Sequence, residues 1–434
     1  MSENNAAMAA ELSASGPVFG AEIKRLPLKD LLKRIGPGLI ATGIVIGPGA
    51  VTTASMIGAN YGYDLMWLFF PIIFMGITFM MVTNRLAIVT GMPTIHAIRK
   101  YYGPIASGIV GVAMFLSCLF FTMGNISGTG AGMNLLFGID WKIGSAIMIA
   151  VVVYMYFAKN VYSKVEKIIT LCIILMIAAF YITLVGVGGP EPQGLAKGLF
   201  GFKIPEGSLS TALAFISTNA AVTAGIYGTY LGKEKKWKKD DLFNGVMLTD
   251  AITHIVSVSL ISGAIVLVGA IVLHPQGLSI KAPAQLAEML VPIMGGCARY
   301  IMGLALVGAG FPSLLANTQR GMVLLGAGLD KDVSLESKFI RYGCLICLAF
   351  AMIVCYSYGG SPTQLILLAN IATSIATPFG GLFMVLMIWR NDLSEGYKKP
   401  TGLRICMTVS YIFAVIMTVS GLSTQIPKII ALFA

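Results

Sequence analysis

Charge is what this sequence has least of. Of its 434 residues, 11% are Asp, Glu, Lys or Arg, while 56% are hydrophobic. A soluble domain carries about 25% charged residues, so a chain of this composition keeps most of its length out of water. There is no Walker-type phosphate loop and no soluble nucleotide-binding unit, which excludes a nucleotide-driven pump. Residues 1–20 lack the apolar stretch of a cleaved leader. Metal-cluster spacing is missing as well: Cys344 and Cys347 stand as a CxxC, but neither a second pair nor a neighbouring histidine completes it. The seven cysteines (Cys118, Cys172, Cys297, Cys344, Cys347, Cys355 and Cys406) lie mostly in apolar runs and read as free core thiols. No cofactor is expected, and the chain does not read as an enzyme.

What is abundant is uninterrupted apolar sequence. Charge-free stretches cover 35–63, 101–139, 168–190, 207–232, 251–280, 342–389 and 405–427, and a bilayer span needs roughly 20 residues. They predict an all-α polytopic membrane protein with eleven transmembrane helices over 38–58, 65–88, 105–136, 143–158, 165–187, 208–231, 243–273, 291–328, 340–357, 362–389 and 405–430. With the N-terminus placed inside, 23 Lys and Arg fall in inner segments and 6 in outer ones. That asymmetry satisfies the positive-inside rule and sets the N-terminus inside and the C-terminus outside a plasma membrane. It also accounts for the net charge of +11 through inner loops rather than a nucleic-acid partner. The partners expected are the lipid bilayer and a small inorganic cation or small organic solute, with the chain a monomer. The organisation read from this is a cytoplasmic tail (1–37), a first five-helix repeat (38–188), an extracellular loop (189–207), a second repeat (208–389), and a cytoplasmic loop with the eleventh helix (390–434).

Two spans carry helix-breaking sequence. The first contains Gly47-Pro48-Gly49, and the sixth contains Ser217-Thr218-Asn219-Ala220-Ala221-Val222-Thr223-Ala224-Gly225. Proline between glycines removes backbone hydrogen bonds in mid-membrane. Taken alone, each could be a kink or a small-residue packing face. Interruptions at matching positions of two five-helix halves point instead to a midplane substrate site between inverted repeats.

Gly36-Pro37-Gly38-Leu39, Ile46-Gly47-Pro48-Gly49-Ala50 and Gly58-Ala59-Asn60-Tyr61-Gly62-Tyr63, with Leu65 and Trp67, resemble the opening of the NRAMP divalent-metal transporters. Asn134-Leu135-Leu136-Phe137-Gly138-Ile139 is similar to that family's NLLFGI, and Gly308-Ala309-Gly310 through Gly321 and Thr377-Pro378-Phe379 are similar too. The resemblance runs from about residue 36 into the last helices. It implies a LeuT-like five-plus-five inverted repeat with broken helices one and six, a peripheral eleventh helix, and alternating access.

The departures bear on chemistry. Where the family's first helix reads DPGN, this chain has Gly47 for the Asp and Ala50 for the Asn. The family's MPH aligns with Thr223-Ala224-Gly225, and its proton-path acids with Thr122 and Asn125. Its helix-ten Gln aligns with Asn370, and its helix-seven Asp is kept as Asp250. The resemblance thus places a substrate site among Gly47, Ala50, Thr53, Ala220, Thr223 and Asn370, flanked by the breaks at Pro48, Gly49, Ala224 and Gly225. A bound metal would touch Gly47, Ala50, Ala220 and Thr223. Restoring aspartate at Gly47 is expected to tighten divalent binding.

Such a pocket offers oxygen only: carbonyls freed at Ile46, Gly47 and Ala220, hydroxyls of Thr52, Thr53, Thr218 and Thr223, and the Asn219 and Asn370 amides. Oxygen suits hard cations, and Mg²⁺ retains several waters when bound, so a partly hydrated Mg²⁺ or Mn²⁺ is one reading. Thr122 and Asn125 carry no titratable charge, which argues against proton coupling. Burying a dication without a carboxylate is costly, so a carrier of a neutral or zwitterionic solute such as an amino acid is a second reading. A non-transporting membrane sensor or scaffold is a third. Asp250 and His254 share a helix face as a functional pair or as caps. Arg320 is expected to snorkel towards the cytoplasm, His96 to lie on the surface, Asn125 to bond another helix, and 232–241 to form a solvated loop.

Overall fold

The computed structural model describes residues 20, 23–33, 46–157, 162–220, 222–230, 237–359 and 361–433. Residues 1–19, 21–22 and 34–45, with the opening of the first span and Gly36-Pro37-Gly38-Leu39, together with Lys159, Ala221, Lys233, Lys235 and Lys236, lie outside the described residues. Among those described, the regular structure is helical, without a strand. We label the principal helices α1 (Pro48–Tyr61), α2 (Phe69–Thr90), α3 (Thr94–Phe137), α4 (Trp141–Phe157), α5 (Tyr162–Gly186), α6 (Leu209–Asn219), α7 (Val222–Gly228), α8 (Val246–Val272), α9 (Ala298–Gly328), α10 (Lys338–Ser357), α11 (Pro362–Ala372), α12 (Ala376–Trp389) and α13 (Thr401–Phe433). Among the described residues eight helices are long and apolar enough to cross a membrane, and Trp141–Phe157 and Ile174–Gly186 are shorter apolar helices.

Helix ends follow local chemistry. α3 is two helices joined at Gly103, whose φ of 90° and ψ of 174° only glycine adopts without strain. Pro104 then disfavours a helical residue before it, so the third span begins near residue 105, as expected, and Thr94–Tyr102 is a separate preceding helix. Gly91 and Gly138 close α2 and α3 in the left-handed conformation. Ser361 caps α11, its hydroxyl accepting from the Gln364 N–H. The tenth span differs from expectation in one respect: a 3₁₀ turn, Thr373–Ile375, separates α11 from α12. The loop 189–207 holds an unforeseen helix, Pro192–Phe200. The loop is fastened to the start of the second span by an Asp64–Lys203 ion pair at 2.7 Å and by the Trp67 indole N–H on the Lys203 carbonyl at 2.9 Å.

Burial sorts the helices into two classes. In α1, every residue from Pro48 to Ala59 is buried, and α3, α6, α8, α9 and α11 surround it. Bare backbones let these helices approach closely: a Cβ on Gly58 would lie 2.1 Å from the Val266 carbonyl of α8. At the rim, α10 exposes Ile346, Phe350 and Ile353, and α13 exposes Ile405, Val409, Ile412 and Ile416. Large apolar stripes of this kind suit lipid, and they make the eleventh span peripheral. Cys118, Cys344, Cys347 and Cys355 are buried free thiols, whereas Cys297 is exposed.

Candidate functional site

α1 starts abruptly at Pro48. Gly47 before it is extended (φ −101°, ψ 178°), and proline at the first helical position forgoes an N–H that would have had no partner. The Gly47 carbonyl accepts from the Ala50 and Val51 N–H groups at 3.0 and 3.2 Å. It is therefore spent on the first turn, not freed for a ligand as the sequence suggested. The Pro48 ring sits between two glycines: a Cβ on Gly128 of α3 would lie 2.1 Å from Pro48 Cβ, and one on Gly310 of α9 would lie 2.9 Å from Pro48 Cγ.

Two buried carboxamides face this start. The Asn370 side-chain N–H donates to the Gly49 carbonyl at 3.0 Å. Its Oδ1 has no hydrogen-bond partner and lies 2.6 Å from the position of a Gly49 Cβ. Asn125, fully buried on α3, donates to Ser313 Oγ of α9 at 2.9 Å, the interhelical bond expected of it. Its Oδ1 is likewise unpartnered, 2.7 Å from the position of a Gly47 Cβ. A buried acceptor without a partner costs free energy, so two of them across one helix start mark a place where a ligand can be held. Thr52 Oγ1 is a third unpartnered buried oxygen.

The sixth-span break is equally plain. α6 ends at Asn219, Ala220 leaves the helix at φ −110°, ψ 45°, and α7 resumes at Val222. Asn370 links the two breaks: its side chain holds Gly49, and its carbonyl accepts from Ser217 Oγ of α6 at 3.0 Å. Ala50, Thr53, Ala220 and Thr223 are all buried. Ala224 is half-buried, and Gly225 turns towards Thr83 of α2.

Several expected donors are already committed. Thr53 Oγ1 donates to the Gly49 carbonyl at 2.8 Å and Thr218 Oγ1 to the Ala214 carbonyl at 2.9 Å. Asn219 donates to the Phe215 carbonyl and accepts from Ser262 Oγ at 2.7 Å. Thr122 donates back to the Cys118 carbonyl at 2.8 Å. No group of three His, Cys, Asp or Glu residues comes together among the described residues.

Three placements differ from expectation. Arg320 does not snorkel; it is 4% exposed and donates to Asn317 Oδ1. His96 is half-buried, its Nδ1 3.1 Å from the Tyr230 hydroxyl, because the helix before Gly103 packs against the end of the sixth span. Within 232–241, Asp241 is buried and accepts from the Lys238 N–H and the Asn244 amide, organising a turn. Asp250 and His254 are both buried on α8. Sequence reasoning passed over Ser313 and Asn317, and took Ser217 only as part of the break. The first two were detectable, since Ser313, Asn317 and Arg320 fall at i, i+4 and i+7 on an otherwise apolar helix.

Residues 38–424 match the family described as Natural resistance-associated macrophage protein-like. A divalent metal cation transporter MntH of Chromohalobacter salexigens is 25% identical over 79% of this chain and 80% of its own length. A metal transporter of rice, Nramp3, is 23% identical over 81% of the chain and 66% of its own length. Among solved structures, the Eremococcus coleocola manganese transporter in complex with an aromatic bis-isothiourea compound superposes with a TM-score of 0.71 at 16% identity, covering 94% of this chain and 91% of its own. Mhp1, a nucleobase-cation-symport-1 family transporter with bromovinylhydantoin bound, gives 0.60 at 14% identity, covering 92% of each chain. MhsT in complex with L-phenylalanine gives 0.57 at 16%, covering 89% and 98%. The fold is the LeuT-like one implied by the family resemblance.

Proposed function

The chain belongs to the Nramp family, and on that premise we propose that it is a secondary transporter of a hard divalent cation, Mg²⁺ or Mn²⁺, carried partly hydrated and without proton coupling. Relatives bearing this fold and matching most of the chain are metal transporters, not enzymes. The observation that carries the finer reading is the pair of unpartnered amide oxygens at the start of α1. Hard cations take oxygen ligands, and Mg²⁺ sheds its waters reluctantly. Neutral amides that orient a hydration shell suit such an ion, whereas soft ions prefer thiolate or thioether sulfur. Asn370 bonds to both interrupted spans, so movement of α1 is felt by α6, as alternating access between two halves requires. Thr122 and Asn125 hold neutral hydrogen bonds and do not titrate at ordinary pH.

The test is uptake by the purified chain in liposomes of Mg²⁺, Mn²⁺, Ca²⁺ and Cd²⁺, with a lumenal pH dye and labelled amino acids alongside. Saturable Mg²⁺ or Mn²⁺ entry without lumenal acidification is expected. Acidification driven by the cation overturns the uncoupled mechanism. A second reading is favoured by the neutrality of these oxygens and by relatives of the same fold solved with L-phenylalanine or a hydantoin: a carrier of a neutral or zwitterionic organic solute. Amino-acid uptake without ion flux establishes it, and silence to both points to a sensor or scaffold.

A further inference from the structure

Arg320 has no part in the site above, yet its surroundings are incomplete. It lies on α9 in the helical core, 4% exposed. One guanidinium N–H reaches Asn317 Oδ1, the Cys118 thiol of α3 is a near neighbour, and Nε has no partner. Arg320 takes no part in the ion pairs Arg99–Asp330, Lys203–Asp64 and Arg390–Asp392. A guanidinium cannot shed its proton to escape burial, and an ionised group without a counter-charge is heavily penalised in a protein interior. Arg404 shows the ordinary solution: at 6% exposure it donates to the Ile388 carbonyl, the Arg390 carbonyl and Ser394 Oγ.

A second observation connects Arg320 to the helix break. Asn317 donates onward to Ser313 Oγ at 2.9 Å, and Ser313 Oγ also accepts from Asn125, whose free oxygen lies against Gly47. Seven residues at 1.5 Å rise separate Ser313 from Arg320, about 10 Å along α9. One hydrogen-bonded line therefore runs from a cation with no ion-pair partner among the described residues to the neutral amide oxygen at the start of α1.

We propose that Arg320 binds a small monovalent inorganic anion of the chloride class, held by its free Nε–H and by the Cys118 thiol, and that this anion supplies the charge that the neutral site lacks. The close approach of α3 and α9 limits its size, since a Cβ on Gly321 would lie 2.9 Å from Cys118 Cβ. Linkage makes the effect mutual: the anion raises affinity for the dication, and the dication raises affinity for the anion by the same factor. The binding claim stands independently of the proposed transport activity, whereas the coupling claim rests on it.

The experiment titrates chloride against gluconate at constant ionic strength and follows thermal unfolding of the full-length chain, its Arg320→Gln variant and its Arg320→Lys variant. A ligand that binds only the native state raises the melting temperature. The parent should gain a few degrees, the Lys variant less, and the Gln variant nothing. A flat parent curve, or the same rise in the Gln variant, overturns the proposal; if the Gln variant does not fold, an unchanged response in the Lys variant does so. In liposomes, Mn²⁺ uptake should fall when gluconate replaces chloride. Equal uptake in both media, with the melting response intact, refutes the coupling and leaves the anion site. No uptake in either medium refutes the transport reading alone.

Discussion

Replacing Gly47 with aspartate probes the site from inside. A Cβ at this position would lie 2.7 Å from Asn125 Oδ1 and 2.8 Å from Ser313 Oγ, where unstrained non-bonded contacts lie nearer ~3.5 Å. Asn125 cannot simply retreat, because its amide is bonded to Ser313, which also accepts from Asn317. Overfilling a packed interior costs about 1–3 kcal/mol, and a carboxylate facing an amide oxygen adds repulsion. Gly47→Asp alone should therefore lose stability in that range without a matching gain in divalent affinity, contrary to the expectation from sequence. Combining it with Asn125→Ala makes room, and the two substitutions should couple by about 0.5–3 kcal/mol. Thermal unfolding and Mn²⁺ calorimetry on the four members of this cycle provide the measurement. Additive effects, or a single variant as stable as the parent with tighter Mn²⁺ binding, would show that Asn125 does not occupy the space of a side chain at 47.

Gly128→Ala drives a methyl group to 2.1 Å from Pro48 Cβ and should cost about 3 kcal/mol, because the ring cannot rotate away. Gly108→Ala, with nothing nearer than 4.0 Å, should gain up to ~1 kcal/mol from helix propensity; equal melting temperatures for the two variants would refute the wedge. The hydrogen bond from Arg390 holds the Asp392 carboxyl below its usual range, so its small, solvent-screened contribution is present above the unfolded-state pKa and is lost as pH falls through the folded one. The melting-temperature gap between the parent and Arg390→Gln should accordingly close between about pH 7 and about pH 3, and a gap that is constant over that window counts against the pair. Exposed Cys297 should react with a membrane-impermeant maleimide on intact cells, while buried Cys344, Cys347 and Cys355 stay unmodified; labelling of Cys297 only after lysis would reverse the proposed sidedness.

The breaks were legible because their signals are covalent and local: proline between glycines, and a polar run of small residues in an apolar span. The assignment of donors was not legible, since it depends on which partner each group finds. Thr53, Thr218 and Thr122 turn back onto carbonyls of their own helices, Asn219 is taken by Ser262, and the Gly47 carbonyl closes a helical turn. Arg320 was misplaced for the same reason: its depth follows from the path of α9 past α3, and no charge count along the chain records that. The role of Asn370 as the tie between two distant interruptions exists only in three dimensions.

Pro48, Gly128 and Gly310 come from three helices spread across the chain and meet at one point. Any side chain on either glycine strikes the ring. A side chain added at 128 or 310 therefore requires its neighbours to shift. The three form a fixed point for the start of α1, so that its position is set by packing and not by whatever the neighbouring amide oxygens hold.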